Sequence, residues 1–274
     1  MTQRRDTLER IAAALDRLAP ARLPPHDWIS APAYIWDGAQ AQTVTHLNAL
    51  PLDALRGVDA QKSAFCTNVE RLAHGVAAHD ALLWGARGMG KSALVRAAIA
   101  HIQAQPNAAI ALVQVPAAAL STVPDLVAQL GQIERRFLLF IDDLGFAPDE
   151  KAEMLSLRSL LEGAIVPRPP SIGFVVTSNR RAIVPRDAHE AEALHERDAR
   201  DDALALADRF GLTLGFHPCD KKTYLEMIRV YTDPLELTVD EEEALAWAIE
   251  RGTRSGRTAY QFATELAGRA QRSL

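Results

Sequence analysis

Short apolar runs alternate with longer amphipathic stretches through the middle of this 274-residue chain. The runs fall at 81–84, 110–115, 137–141, 172–177 and 212–216, and glycine or polar turns bound them. Continuous apolar runs of this length are the mark of strands buried on both faces. The stretches 62–74, 91–103, 123–130 and 152–162 carry apolar residues at helical spacing instead. Strands alternating with helices predict an α/β fold: a five-stranded parallel sheet with helices on both faces. After residue 216 no strand is expected. The segments 222–231, 239–250 and 257–272 read as helices, so the C-terminal part predicts a small all-helical subdomain.

The ends and the loops complete the division. Leu8, Ile11, Leu15 and Leu18 recur at helical spacing, which predicts an amphipathic N-terminal helix that packs on the body or meets a partner. Residues 20–45 read as irregular, because Pro20, Pro24, Pro25, Pro32 and Gly38 punctuate them. Trp28, Tyr34 and Trp36 fall in that segment, and rings of this size predict a linker that lies against a surface. The expected parts are therefore an arm at 1–45, an α/β domain at 46–217 and a helical lid at 218–274. A dense charge run at 186–203 reads as a solvated helix or loop, in which Glu192 and Glu196 can pair with Arg197 and Arg200.

Composition narrows the class. Lys plus Arg is 30 and Asp plus Glu is 35, a formal charge of −5, which offers no bulk attraction for nucleic acid. A hydrophobic fraction of 48% is too high for a disordered chain. No apolar run approaches the roughly 20 residues that a spanning helix needs, so no membrane segment is expected. Asp6, Glu9 and Asp16 interrupt the N-terminus, which therefore does not read as a signal peptide. Cys66 and Cys219 have no CxxC spacing and fit a reducing, cytoplasmic setting.

The strongest chemical signal is the text WGARGMGKS at 84–92, a G-x-x-x-x-G-K-S (Walker A) loop between an expected strand and an expected helix. Gly85, Gly88 and Gly90 let the backbone curl so that N–H groups of Gly85, Ala86, Arg87, Gly88, Met89, Gly90, Lys91, Ser92 and Ala93 can surround an anion. Lys91 brings a compact positive charge to the β and γ phosphates, and Ser92 offers a hydroxyl to Mg²⁺. The helix beginning near Lys91 adds its positive dipole end. The text FLLFIDDLG supplies the partner. Asp142, at the tip of an apolar strand, is placed to hold Mg²⁺ through water in the Walker B manner. Asp143 follows as the acid that polarises an attacking water, or else as a capping carboxylate.

Three further residues sort the P-loop proteins. Asn179, at the tip of the fourth expected strand, can hold the attacking water, or else form a turn. Arg209, just before the fifth, can reach a neighbouring subunit's nucleotide, or else pair with Asp208 within the chain. Arg257 opens the last helix and can touch phosphates from above, with Arg254 as second choice. Arg180 and Arg181 read as surface cations or as phosphate contacts.

The arrangement resembles the AAA+ ATPases over roughly residues 46–274, with Asn179 like sensor 1, Arg209 like the arginine finger and Arg257 like sensor 2. It is most similar to a bacterial family of AAA+ ATPases without assigned function, domain of unknown function 815. The matching text is LRGVDAQK, LLWGARGMGKS, FLLFIDDLGF, SLLEGAIVPRP, TSNRR, DRFGLTLGF, YLEMI and RSGRTAYQF. The resemblance implies ATP and Mg²⁺ as cofactors and a slow ATPase that couples hydrolysis to conformational change or assembly. It also implies a homo-oligomer when ATP is bound and an unknown protein client. It would place residues 55–58 near the adenine ring. A nucleotide-gated loader or adaptor with little turnover is the alternative, and a small-molecule P-loop kinase a weaker one. Residues 101–136 hold no aromatic residue, which weighs against a threading loop of the unfoldase kind. The chain is also expected to end before a helix-turn-helix could follow the lid, so direct nucleic-acid binding is not favoured.

Overall fold

The computed structural model describes residues 26–106, 108–144, 157, 160–161, 167–179 and 208–274. The expected N-terminal helix, Arg180, Arg181, the 186–203 charge run and most of 152–162 lie outside the described residues. The strands are β1 (Ala33–Trp36), β2 (Ala41–Val44), β3 (Ala81–Gly85), β4 (Ile110–Gln114), β5 (Arg136–Ile141), β6 (Ile172–Ser178) and β7 (Leu212–Phe216). The helices used below are α1 (Asp59–Ala73), α2 (Lys91–Gln103), α3 (Val123–Leu130), α4 (Lys221–Thr232), α5 (Glu241–Glu250) and α6 (Gly256–Arg269).

Among the described residues the strands form one seven-stranded sheet in the order β2-β1-β4-β5-β6-β3-β7. Only β1 and β2 pair antiparallel; every other neighbouring pair is parallel. The α/β class is as expected, but the five-stranded count is corrected to seven. The additional strands are β1 and β2, inside a segment read as irregular. Each is four residues long, and β2 is largely exposed with a polar sequence, so neither carries a periodic signal. Pairing with β4 makes β1 a strand. Asp37 closes the hairpin, its Oδ1 accepting the N–H groups of Ala39 and Gln40 at 2.8 Å each.

Each parallel strand feeds two cores, because successive side chains point to opposite faces. Leu83, Leu138, Phe140 and Val175 meet α1 and α2 on one face. Leu82, Phe137, Leu139, Phe174 and Val176 meet α3 and a ring cluster on the other. That cluster is built by Trp28, Tyr34 and Trp36, all buried, with Trp28 edge-on to Phe137 at 6.1 Å. Arg135 Nη1 donates to the carbonyls of Trp28 and Ile29 at 2.9 and 2.8 Å, tying this segment to the start of β5.

The helices α4, α5 and α6 follow β7. Asp220, Asp240 and Ser255 cap them, each side chain accepting a first-turn N–H. Tyr224, Ile228, Ala244 and Phe262 join the α1–α2 core, so the helical part packs on the face that carries the glycine loop. Among the described residues no helix is long and apolar enough to cross a membrane.

Candidate functional site

Glycine sets the loop between β3 and α2. Gly85, Gly88 and Gly90 have φ of 122°, 74° and 92°, a region costly for other residues. A Cβ on Gly85 would lie 2.1 Å from the Phe216 carbonyl oxygen, and that oxygen accepts the Ala86 N–H at 2.8 Å. The loop is thus anchored to the end of β7. Gly90 begins α2 with no side-chain cap, leaving first-turn N–H groups for an anion.

Lys91 is 5% exposed. Its Nζ donates to the carbonyls of Gly85 and Ala86 at 2.9 Å each and to Asn179 Oδ1 at 2.8 Å. Asn179 Nδ2 in turn donates to Asp143 Oδ1. Burial pushes the Lys91 ammonium below its ordinary pKa, while the carboxylates of Asp143 and Asp142 pull the other way. A second cluster stands beside this relay. Ser92 Oγ donates to Asp142 Oδ1 at 2.5 Å, and Thr177 Oγ1 donates to the same oxygen at 2.6 Å.

These groups line one cavity of about 370 Å³. Gly88, Met89, Gly90, Lys91, Ser92 and Ala93 form its floor; Asp142, Asp143, Thr177 and Asn179 form one wall. Leu55, Arg56 and Val58 form another wall. Met227, Tyr231, Arg257 and Tyr260 close it from α4 and α6. The start of α6 touches the loop directly, with the Arg257 N–H donating to the Gly88 carbonyl at 3.3 Å. Such a cavity pairs an anion cradle with hard oxygen donors, which suits a polyphosphate with Mg²⁺. Among the described residues no group of three or more His, Cys, Asp and Glu could hold a metal. A divalent cation here would take its remaining oxygens from phosphate and water, as Mg²⁺ does in phosphoryl-transfer sites.

The remaining loop residues differ from the rest. Gly85 and Ala86 contribute carbonyls to Lys91 rather than cavity surface, and Arg87 is exposed. Arg209 does not line the cavity. It is half-buried and precedes β7, which runs parallel to β3 from Ala81↔Leu212 to Gly85↔Phe216. Five residues of strand, roughly 17 Å, separate that end of the sheet from the loop. Arg254 also stands elsewhere: its carbonyl accepts the Cys219 thiol at 3.3 Å.

Sequence reasoning gave no role to the Thr177 hydroxyl, to Ser255 or to the lid tyrosines. Thr177 could have been found as a hydroxyl one residue past the register partner of the acid-bearing strand's last residue, since Ile141 pairs with Val176. Tyr231 and Tyr260 stack edge-on at 5.1 Å, a pairing between helices that no local spacing announces.

The model of the family described as "Protein of unknown function (DUF815)" matches residues 30–270. Curated proteins provide no match. Among solved structures, a RuvB variant of Thermotoga maritima is 18% identical with TM-score 0.52, over 82% of this chain and 68% of that one. Another RuvB variant from that organism is 19% identical with TM-score 0.51, over 81% of this chain and 66% of that one. The ORC1 protein of Aeropyrum pernix, solved in complex with DNA, is 16% identical with TM-score 0.55, over 80% and 62%. Identities this low show a shared fold and nothing finer.

Proposed function

The chain belongs to the DUF815 family of proteins of unknown function, and on that premise we propose that it binds Mg-ATP and hydrolyses it slowly as an assembling AAA+ protein. The observation that carries this is the chain of hydrogen bonds Lys91–Asn179–Asp143 beside the Ser92–Asp142 pair in one cavity. Lys91 would exchange one of its present acceptors for phosphate oxygen. Uncapped N–H groups at the start of α2 would hold the β phosphate. Asp143 would take a proton from the attacking water at its carboxylate, with Asn179 orienting both. The Ser92 proton is already committed to Asp142, so the Ser92 oxygen keeps its lone pairs for Mg²⁺. Bound Mg²⁺ would supply neutralisation of the charge on the β and γ phosphates. Arg257 would cover the phosphates from the lid.

Arg209 stands at the far end of the sheet from its own loop, so it would complete the site of a neighbouring copy. Turnover would then depend on assembly. Asp143 is held by Asn179 within the single chain, which also favours slow basal hydrolysis. The same contact suits the alternative of a nucleotide-gated loader or adaptor for a protein client. A net charge of −5 gives no bulk attraction for DNA, and direct nucleic-acid binding is not part of the proposal.

Asp143→Asn separates binding from chemistry. The variant is expected to bind ATP with wild-type affinity and to release phosphate about 10²- to 10⁴-fold more slowly, the range of a lost general base. Equilibrium binding and phosphate release on the same preparation check this. Wild-type turnover in Asp143→Asn would remove Asp143 from the mechanism.

A further inference from the structure

We propose that Thr177 is the positioning residue that sets Asp142 and Asp143 against the cation and the water. The inference rests on the Mg-ATP reading of the site. Thr177 lies at 1% exposure near the end of β6. Its single hydroxyl proton goes to Asp142 Oδ1 at 2.6 Å. Thr177 Oγ1 itself accepts the Asp143 N–H at 2.8 Å. Its carbonyl accepts the Leu144 N–H at 2.9 Å. One residue thereby grips three consecutive residues just past the end of β5.

That grip has a specific task. Asp143 has φ of 54°, a left-handed conformation that an L-residue adopts only when its surroundings over-determine it. The bond to Thr177 Oγ1 fixes the N–H of this turn, and the bond from Asn179 fixes the carboxylate. Asp142 is oriented by two hydroxyls converging on one oxygen, from Ser92 below and Thr177 beside it. With the Ser92 oxygen on a cation, the Ser92 and Thr177 protons would together hold the Asp142 carboxylate in place. A hydroxyl that served only the core would have no reason to meet both the Asp142 carboxylate and the Asp143 N–H.

The test uses the full chain and a non-hydrolysable ATP analogue, with affinity measured in Mn²⁺ and again in EDTA. Thr177→Val keeps the volume and removes the hydroxyl; Thr177→Ser keeps the hydroxyl. In Thr177→Val the gain in affinity that Mn²⁺ confers should fall by about tenfold or more, the usual loss when the partner orienting a metal-facing group is removed. Affinity in EDTA should stay at the wild-type value, because Lys91 and the loop are untouched. Thr177→Ser should restore the Mn²⁺ gain to within a few-fold of wild type. An unchanged Mn²⁺ gain in Thr177→Val overturns the inference. So does a wild-type protein whose analogue affinity ignores the metal. Thr177→Ala is a second hydroxyl-free variant, and loss of folding in both would assign the hydroxyl to the core and overturn the inference. Failure of the wild type to bind the analogue in Mn²⁺ and in EDTA alike is a different outcome: it sinks the Mg-ATP reading itself, and this inference with it.

Discussion

In the Lys91→Ala variant ATP affinity falls by roughly 30- to 4,000-fold. Truncating one partner of a buried, hydrogen-bonded charge contact costs about 2–5 kcal/mol, and each 1.4 kcal/mol is about tenfold. Lys91 is placed for such a contact. It is 5% exposed, and its ammonium bridges the loop carbonyls and Asn179. Burial lowers its pKa in the folded chain. The unfolded chain therefore holds that proton more tightly, so below both values the cation opposes folding, and the opposition fades as pH rises through the ordinary lysine range. A polyphosphate bound at the loop supplies the missing anionic partner. ATP should accordingly raise the melting temperature of the wild type and leave that of Lys91→Ala nearly unmoved. Equal ATP affinity in the two proteins would remove the loop from nucleotide binding.

Arg209→Ala should lower turnover by about 10³-fold or more while ATP affinity holds, since an arginine finger acts on transition-state charge rather than on ground-state binding. The expectation comes from the sheet. β7 and β3 run parallel in register, so the residue before β7 lies at the opposite end from the residue after β3. The intervening strand is longer than an arginine side chain, and Arg209 cannot serve its own loop. Mixing supplies the decisive control. Lys91→Ala chains would hold ATP poorly but carry Arg209; Arg209→Ala chains would hold ATP but lack that arginine. Equal mixtures should regain phosphate release that neither variant has alone. Full activity of Arg209→Ala by itself would contradict a finger acting between copies.

The parts of this site that could be read from the chain are those whose cause is local. The 212–216 strand and the helices at 91–103 and 123–130 stand at the expected bounds, because apolar runs and helical periods are properties of consecutive residues. The glycine loop was legible for the same reason: positive φ at Gly85, Gly88 and Gly90 restricts which residue can stand there. What escaped depends on pairing across the chain. β1 and β2 are too short to carry a period and become strands by adding to β4. The hydroxyl of Thr177 meets Asp142 across 35 positions, and the Tyr231–Tyr260 contact joins two helices. The left-handed turn at Asp143 follows from the neighbouring strand as well, since an aspartate has no such preference strong enough to announce it.

Phosphate release from Mg-ATP by the wild-type chain, expressed per chain and followed as protein concentration rises, tests nucleotide hydrolysis by an assembling AAA+ protein most directly. A rate per chain that climbs with concentration, and that Arg209→Ala removes, is the predicted result. A rate that stays flat across that range, or phosphate release that persists undiminished in Arg209→Ala, would contradict it.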